Sequence, residues 1–105
     1  MSDVESMADV LQALSDPVRL RLMGLLPCGE APLREICVCD LAKQLGVSQP
    51  NASHHLKVLR SARLIRCHRK RGYAFYHVNR DVLQGTLSYL DSQILSRVPE
   101  NLEEV

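Results

Sequence analysis

Between Leu41 and Arg80 this 105-residue chain has no aspartate and no glutamate. The same stretch holds nine basic residues: Lys43, Lys57, Arg60, Arg63, Arg66, Arg69, Lys70, Arg71 and Arg80. The formal charge of the whole chain is only +1, so the other 65 residues carry four basic and all twelve acidic side chains, a balance of −8. Segregation of this kind in a small domain marks an electrostatic footprint, and nucleic-acid phosphate is its commonest partner.

Further absences narrow the class. No apolar run approaches the ~18 residues that cross a bilayer, and no signal-peptide core follows Met1. A cytoplasmic protein with no membrane partner is therefore expected. There is no C-x-x-C motif, no glycine-rich phosphate loop, and no carboxylate in the basic block to serve a catalytic histidine. These gaps argue against a thiol oxidoreductase or any other enzyme, and no organic cofactor is expected. Without an internal repeat, linker or low-complexity stretch, residues 1–105 form one domain, near the size where dimerisation often supplements a modest core. Four cysteines (Cys28, Cys37, Cys39 and Cys67) in a reducing compartment suit metal binding, reactivity or burial better than disulfides. Cysteines separated by one residue are expected to stay unpaired, because the intervening backbone would be strained.

What is present has a clear order. Val4, Met7, Ala8, Leu11 and Leu14 recur at helical spacing over residues 4–14. Asp16 and Pro17 stop that helix and start a second, Asp16 as N-cap and Pro17 at the first position. Val18, Leu20, Leu22, Met23, Leu25 and Leu26 make the second helix apolar around much of its circumference, which predicts burial. Pro27-Cys28-Gly29 ends it, and a loop runs to about Arg34. A third helix from about Val38 to Leu45 turns at Gly46, and Ser48 caps a fourth helix that reaches about Ser61. Two short helices joined by Gly46-Val47-Ser48 form a helix-turn-helix over about 38–61, whose second member is the recognition element.

From about 64 to 78 the pattern changes to strands around Arg71-Gly72, where a hairpin needs positive φ. This is a wing with a basic tip. A last helix over about 80–97 carries Val82, Leu83, Leu87, Leu90, Ile94 and Leu95, with Pro99 ending it and a frayed acidic tail over 100–104. The fold class is mainly α with a small β-hairpin, a winged helix-turn-helix.

Four segments together carry a resemblance. They are Leu14-Ser15-Asp16-Pro17-Val18-Arg19-Leu20-Arg21-Leu22, Glu35-Ile36-Cys37-Val38-Cys39-Asp40-Leu41-Ala42, Ser48-Gln49-Pro50-Asn51-Ala52-Ser53-His54-His55-Leu56-Lys57-Val58-Leu59, and the wing Arg69-Lys70-Arg71-Gly72-Tyr73-Ala74-Phe75-Tyr76. Over essentially its whole length the chain resembles the ArsR/SmtB family of winged-helix repressors, and the cysteine segment resembles the arsenic-responsive branch. The resemblance implies a homodimer built from the first and last helices, bound to palindromic operator DNA. It also implies release when As(III) or Sb(III) binds thiolates at the start of the third helix. The wide apolar faces of the terminal helices support the dimer independently, and a two-fold protein implies a two-fold operator.

Within the fourth helix, Gln49, Ser53 and Lys57 recur at fours on one face, with His54 beside them and Leu56 and Leu59 turned inward. Gln49, Ser53 and His54 suit base edges, and Ser48 joins them at the helix N-terminus. Lys57 and Arg60 suit phosphates, which position without specifying. Arg69, Lys70 and Arg71 at the wing tip suit phosphate or minor-groove contacts. His55, preceding Leu56, is expected to pack against the domain or bond a backbone carbonyl rather than bind metal.

Cys37 and Cys39 are the candidate inducer ligands. The family's As(III) prefers three sulfurs, but Ala42 stands where a third cysteine could follow, so Cys28 is the candidate third ligand, with a cellular thiol or water as alternatives. Cys67, in the first wing strand, is expected to pack. The last helix has no histidine for a zinc site and residues 1–27 no cysteine for a cadmium or lead site. A zinc-, cadmium- or lead-responsive repressor therefore ranks behind, beside a redox- or persulfide-sensing one. Residues two apart on a regular helix point about 200° away from each other. Two thiolates there could converge on an ion only if the start of the third helix unwound.

Overall fold

The computed structural model describes residues 4–29 and 35–96. Helix α1 spans Val4–Leu14 and α2 spans Pro17–Leu25. Between them Asp16 is extended, and its Oδ2 accepts the N–H groups of Val18 and Arg19 at 2.9 and 3.1 Å. Pro17, which has no N–H to leave orphaned, occupies the first turn. Past α2 the chain runs beside the sheet, where Val78 donates its N–H to the Pro27 carbonyl at 2.8 Å and Cys28 bridges Val78.

Helix α3 covers Val38–Leu45. Gly46 ends it at φ 71°, a left-handed conformation that glycine adopts without a Cβ penalty. Helix α4 covers Gln49–Ser61, and the Ser48 hydroxyl accepts the Asn51 N–H at 3.1 Å. Arg63 then takes a left-handed φ of 65°, and Leu64 donates back to the Leu59 carbonyl at 3.0 Å, which turns the chain into the hairpin.

Strands β1 (Ile65–Lys70) and β2 (Tyr73–Val78) pair antiparallel, with Ile65 opposite Val78 and Lys70 opposite Tyr73. Arg71 (φ 52°) and Gly72 (φ 83°) make the two-residue connection, both left-handed as a type I′ turn requires. Helix α5 follows at Arg80–Leu90.

Leu22 from α2, Leu41 from α3, Leu56 and Leu59 from α4, and Leu64 and Ile65 at the base of the wing are all essentially inaccessible. Roughly 1.5–3 kcal/mol of burial per such side chain fixes α4 on α2 and α3. The helix-turn-helix is thus mounted on the core by one face, with its other face open.

Three expectations change. α2 buries only Leu22 along its length and leaves Leu20 exposed, because the core lies against one side of it. α1 turns Met7, Val10 and Ala13 inward rather than the whole expected stripe, so Val4 and Leu11 face outward. The last helix is not α-helical throughout: after Leu90 the chain continues as a π-helical turn over Asp91–Leu95, closed by Ser96 N–H to the Asp91 carbonyl at 2.7 Å. Arg97, Pro99 and the acidic 100–104 stretch lie outside the described residues, as do residues 30–34 of the loop.

Candidate nucleic-acid interface and thiol site

α4 presents Gln49, Ser53, His54, Lys57 and Arg60 to solvent, while Ala52, Leu56 and Leu59 are buried behind them. The periodicity of a helix makes this division: positions four apart share a face, and the core takes the opposite one. Ser48 is exposed, but its hydroxyl is engaged in capping α4. Arg69, Lys70 and Arg71 stand exposed at the wing tip.

His55 is largely buried at the seam between α4 and the start of α2. Its Nδ1 lies 3.1 Å from Arg19 Nη1, a contact to which the guanidinium can contribute only as donor. Arg19 also donates through Nε to the Ala13 carbonyl at 2.6 Å, and Asp16 Oδ2 lies 4.0 Å from His55 Nδ1. His55 thus packs against the domain, with an arginine as its partner instead of a backbone carbonyl. The Asp16 carboxyl is held below its ordinary value, foremost by the Arg19 backbone N–H; burial opposes this next in size, and the Arg19 charge and the Val18 N–H add to the lowering. Together these groups lock α4 to the α1–α2 junction.

The thiol site departs from both sequence expectations about it. Cys37 is not helical: it is the N-cap of α3, with φ −81° and ψ 162°, and its carbonyl accepts the N–H groups of Asp40 and Leu41, each at 3.1 Å. The extended residue swings its side chain back over the first turn, where Cys39 sits. The two Cα atoms are 5.4 Å apart and the Sγ atoms are joined as a disulfide. Neighbouring-but-one cysteines therefore do pair here, and two sulfurs converge without any unwinding of α3. The 200° separation applies only when both residues are helical.

Asp40 completes the cluster. Its carboxylate and the two sulfurs lie within 4.8 Å of one another, the one such metal-capable group among the described residues. Asp40 also occupies the first turn, where a negative charge is favoured by the helix dipole. With the disulfide reduced, the donor set is two soft thiolates and one carboxylate, which suits a thiophilic ion needing at most one further ligand.

Cys28 does not belong to that group. It is an exposed thiol, tied by its backbone to Val78. Cys67 is half-buried in β1 opposite Tyr76. Burial first, and then the neighbouring Cys67 thiol, raise the pKa of the Tyr76 phenol.

Two functional candidates had no sequence signal of their own. Asp40 follows Cys39 directly, but only the non-helical Cys37 brings both sulfurs to it. Glu35 reaches across 35 positions to Lys70, with Oε2 2.9 Å from Nζ. That hydrogen bond, foremost, holds the Glu35 carboxyl below its ordinary value. No helix among the described residues is long and apolar enough to cross a membrane.

Residues 16–66 match the family described as bacterial regulatory protein, arsR family. The chain is 34% identical over 84 residues to the transcriptional repressor SdpR of Bacillus subtilis, covering 80% of this chain and 88% of that one. It is also 34% identical over 87 residues to the arsenical resistance operon repressor of Staphylococcus xylosus, covering 83% of this chain and 79% of that one. Its fold is similar to a homodimeric winged helix-turn-helix DNA-binding domain from Mycobacterium bovis, with a TM-score of 0.66, 24% identity and 96% of each chain covered.

Proposed function

This chain belongs to the arsR family of DNA-binding transcriptional regulators, and on that premise we propose that it is a dimeric repressor released from its operator by As(III) or Sb(III). It is a winged helix-turn-helix repressor and not an enzyme. The observation that carries the inducer assignment is the convergence of Cys37 Sγ, Cys39 Sγ and the Asp40 carboxylate at the start of α3. The arsenical-resistance role of the Staphylococcus xylosus relative supports the same ligand class.

In the reduced protein without inducer, Gln49, Ser53 and His54 meet base edges in the major groove, and Lys57, Arg60, Arg69 and Arg71 meet phosphates. Lys70 joins them once its carboxylate partner yields. Ser48 fixes the start of α4, where the first base contacts are made.

Inducer binding acts on the helix that carries the recognition helix. Ala42 and Leu41 of α3 are buried against the core, and the Val47 N–H is bonded to the Ala42 carbonyl at 3.1 Å. Drawing Cys37 and Cys39 around an ion shifts the N-terminus of α3, and that turn passes the shift to α4. The third donor is Asp40, or a small cellular thiol in its place. Linkage requires DNA to weaken the metalloid by the factor that the metalloid weakens DNA.

The dimer is supported by apolar surface on the terminal elements. Val4 (60% exposed), Leu87 (53%), Ile94 (55%) and Leu95 (76%) lie open along α1, α5 and the π-helical turn. Several large apolar side chains open to solvent on the terminal elements suit an association surface. A two-fold dimer places two α4 helices on half-sites about one helical turn apart.

The test is arsenite-driven release of a fluorescent operator duplex in reductant. Cys37→Ser and Cys39→Ser should bind DNA and fail to release it, whereas Cys28→Ser and Cys67→Ser should still release. A Cys37/Cys39→Ser double variant that arsenite still dissociates would move the sensor elsewhere.

The Cys37–Cys39 disulfide supports a second reading, a redox sensor. Mass spectrometry after mild oxidant, set beside arsenite treatment in reductant, separates the two by which treatment releases DNA.

A further inference from the structure

The strand register sorts the hairpin into two faces. Ile65 and Val78 point into the core, so Arg66, His68 and Lys70 of β1 share the outward face with His77, Phe75 and Tyr73 of β2. Lys70 is the last cation on that face before the turn. Its ammonium donates to Glu35 Oε2 at 2.9 Å, and both side chains remain partly open to solvent, 48% and 29% exposed. Glu35 stands two residues before Cys37, and residues 35–37 belong to no helix or strand. One ion pair therefore joins the thiol segment to the tip of the wing.

A solvent-exposed pair of this kind adds little to folding stability. Its position matters more, because a carboxylate oxygen and a phosphate oxygen are competing acceptors for one ammonium. We propose that Glu35 is an internal stand-in for DNA phosphate: it occupies Lys70 in the free protein, is displaced by the operator backbone, and links that exchange to the thiol site. The proposal rests on the DNA-binding and thiol-sensing function argued above.

Two consequences follow, the first from charge alone. With Glu35 in place, a phosphate approaching Lys70 meets an anion already there, so Lys70 contributes less than a full charge to DNA. Removing the carboxylate restores that charge and releases about one more counterion on binding. The second consequence runs through the backbone. DNA that takes Lys70 frees Glu35 and the residues leading to Cys37, while an ion that draws Cys37 and Cys39 together moves Glu35 relative to the wing.

The experiment measures operator affinity by fluorescence anisotropy over a salt series for the full-length wild type, Glu35→Gln, Lys70→Gln and the double variant, with and without arsenite in reductant. Glu35→Gln should bind several-fold tighter at low salt, with a log–log salt slope steeper by about one unit. In the Lys70→Gln background the same change should have no effect. Arsenite should weaken operator binding of Glu35→Gln by a smaller factor than it weakens the wild type.

An unchanged slope in Glu35→Gln overturns the proposal. So does an equal gain with and without Lys70, which would make Glu35 a general repeller of DNA. A full arsenite response in Glu35→Gln removes the link to the thiols. A wild type that binds operator but ignores arsenite would overturn the inducer assignment and the link, leaving the exchange at Lys70 to be decided by the slopes. A wild type with no operator affinity would overturn the repressor function and this exchange together.

Discussion

The two elements we propose for DNA contact are held in opposite ways. α4 is fixed from behind: Leu56 and Leu59 are fully buried, Ser48 caps its start, and His55 is clasped by Arg19. Among the described residues the wing's buried side chains are at its base, Ile65 and Val78, with Tyr76 packed beside them, and its tip is joined by an exposed ion pair to a segment of no regular structure. A rigid helix suits base readout, which tolerates little displacement. A lightly tethered cationic tip suits phosphate, which asks for charge more than for register. Regulation can therefore act at least cost on the tether and on the helix beneath α4, not on α4's own core contacts.

The largest effect should come from breaking the rigid half. Leu56→Ala leaves a cavity beneath α4 and should cost about 2–5 kcal/mol in urea denaturation, with operator binding lost along with the fold. At the wing, Tyr73→Ala removes an exposed ring and should change stability by no more than about 0.5 kcal/mol. Comparable losses at the two sites would end the distinction between a fixed helix and a lightly held wing.

Next in size is the division between specifying and positioning. Gln49→Ala or Ser53→Ala should lose up to about 1–3 kcal/mol of preference for operator over random DNA. Arg71→Ala should weaken both DNAs alike and flatten the salt slope by about one unit. Competition titrations at two salt concentrations decide it, and helix variants that lose equally on both DNAs would leave readout to other residues.

A smaller effect tests how the start of α4 is held. Ser48→Ala removes the acceptor for the Asn51 N–H and should cost about 1 kcal/mol in denaturant melts, whereas Ser48→Gly should cost only a few tenths. A neutral alanine variant would free the hydroxyl for a role at DNA alone.

Much of this architecture was legible because its signals are local. Asp16-Pro17, Gly46 and Ser48 punctuate helices by chemistry confined to a turn, and Arg71-Gly72 names a hairpin connection that needs two positive φ values. The thiol geometry was not legible, since it hinges on one residue. Whether Cys37 is the first helical residue or the extended one before it reverses the direction of its sulfur, and helix boundaries are uncertain on that scale. The approach of the Asp40 carboxylate to both sulfurs was hidden for the same reason. The Glu35–Lys70 pair had no sequence signature, because a contact across 35 positions is set by how the loop crosses the wing. The outward turn of Val4 and Leu11 was equally hidden: a helical stripe shows which residues share a face, but not whether its own core or a second chain covers it.

The smallest expected effect concerns the junction that clasps α4. The folded state holds Asp16 as a carboxylate, because the Arg19 N–H and guanidinium favour the charged form. An unfolded chain titrates the same group at roughly 4. Its folded pKa lies lower, so the unfolded state takes up the proton first as pH falls. The contribution to stability is therefore complete above that unfolded value and declines as pH drops through the folded one. Asp16→Asn keeps a side-chain oxygen to accept the Val18 and Arg19 N–H groups and removes the titration. The wild type should melt higher than Asp16→Asn at neutral pH, and the gap should narrow as pH falls below the unfolded value of roughly 4 and on through the lower folded one. His55→Gln, which withdraws the ring from Arg19 and Asp16 but leaves the cap, should keep most of that closing gap, because His55 is the least of the influences on Asp16. A gap that stays constant with pH would mean that the carboxylate's charge does nothing for the fold, and that α4 is held at this seam by packing alone.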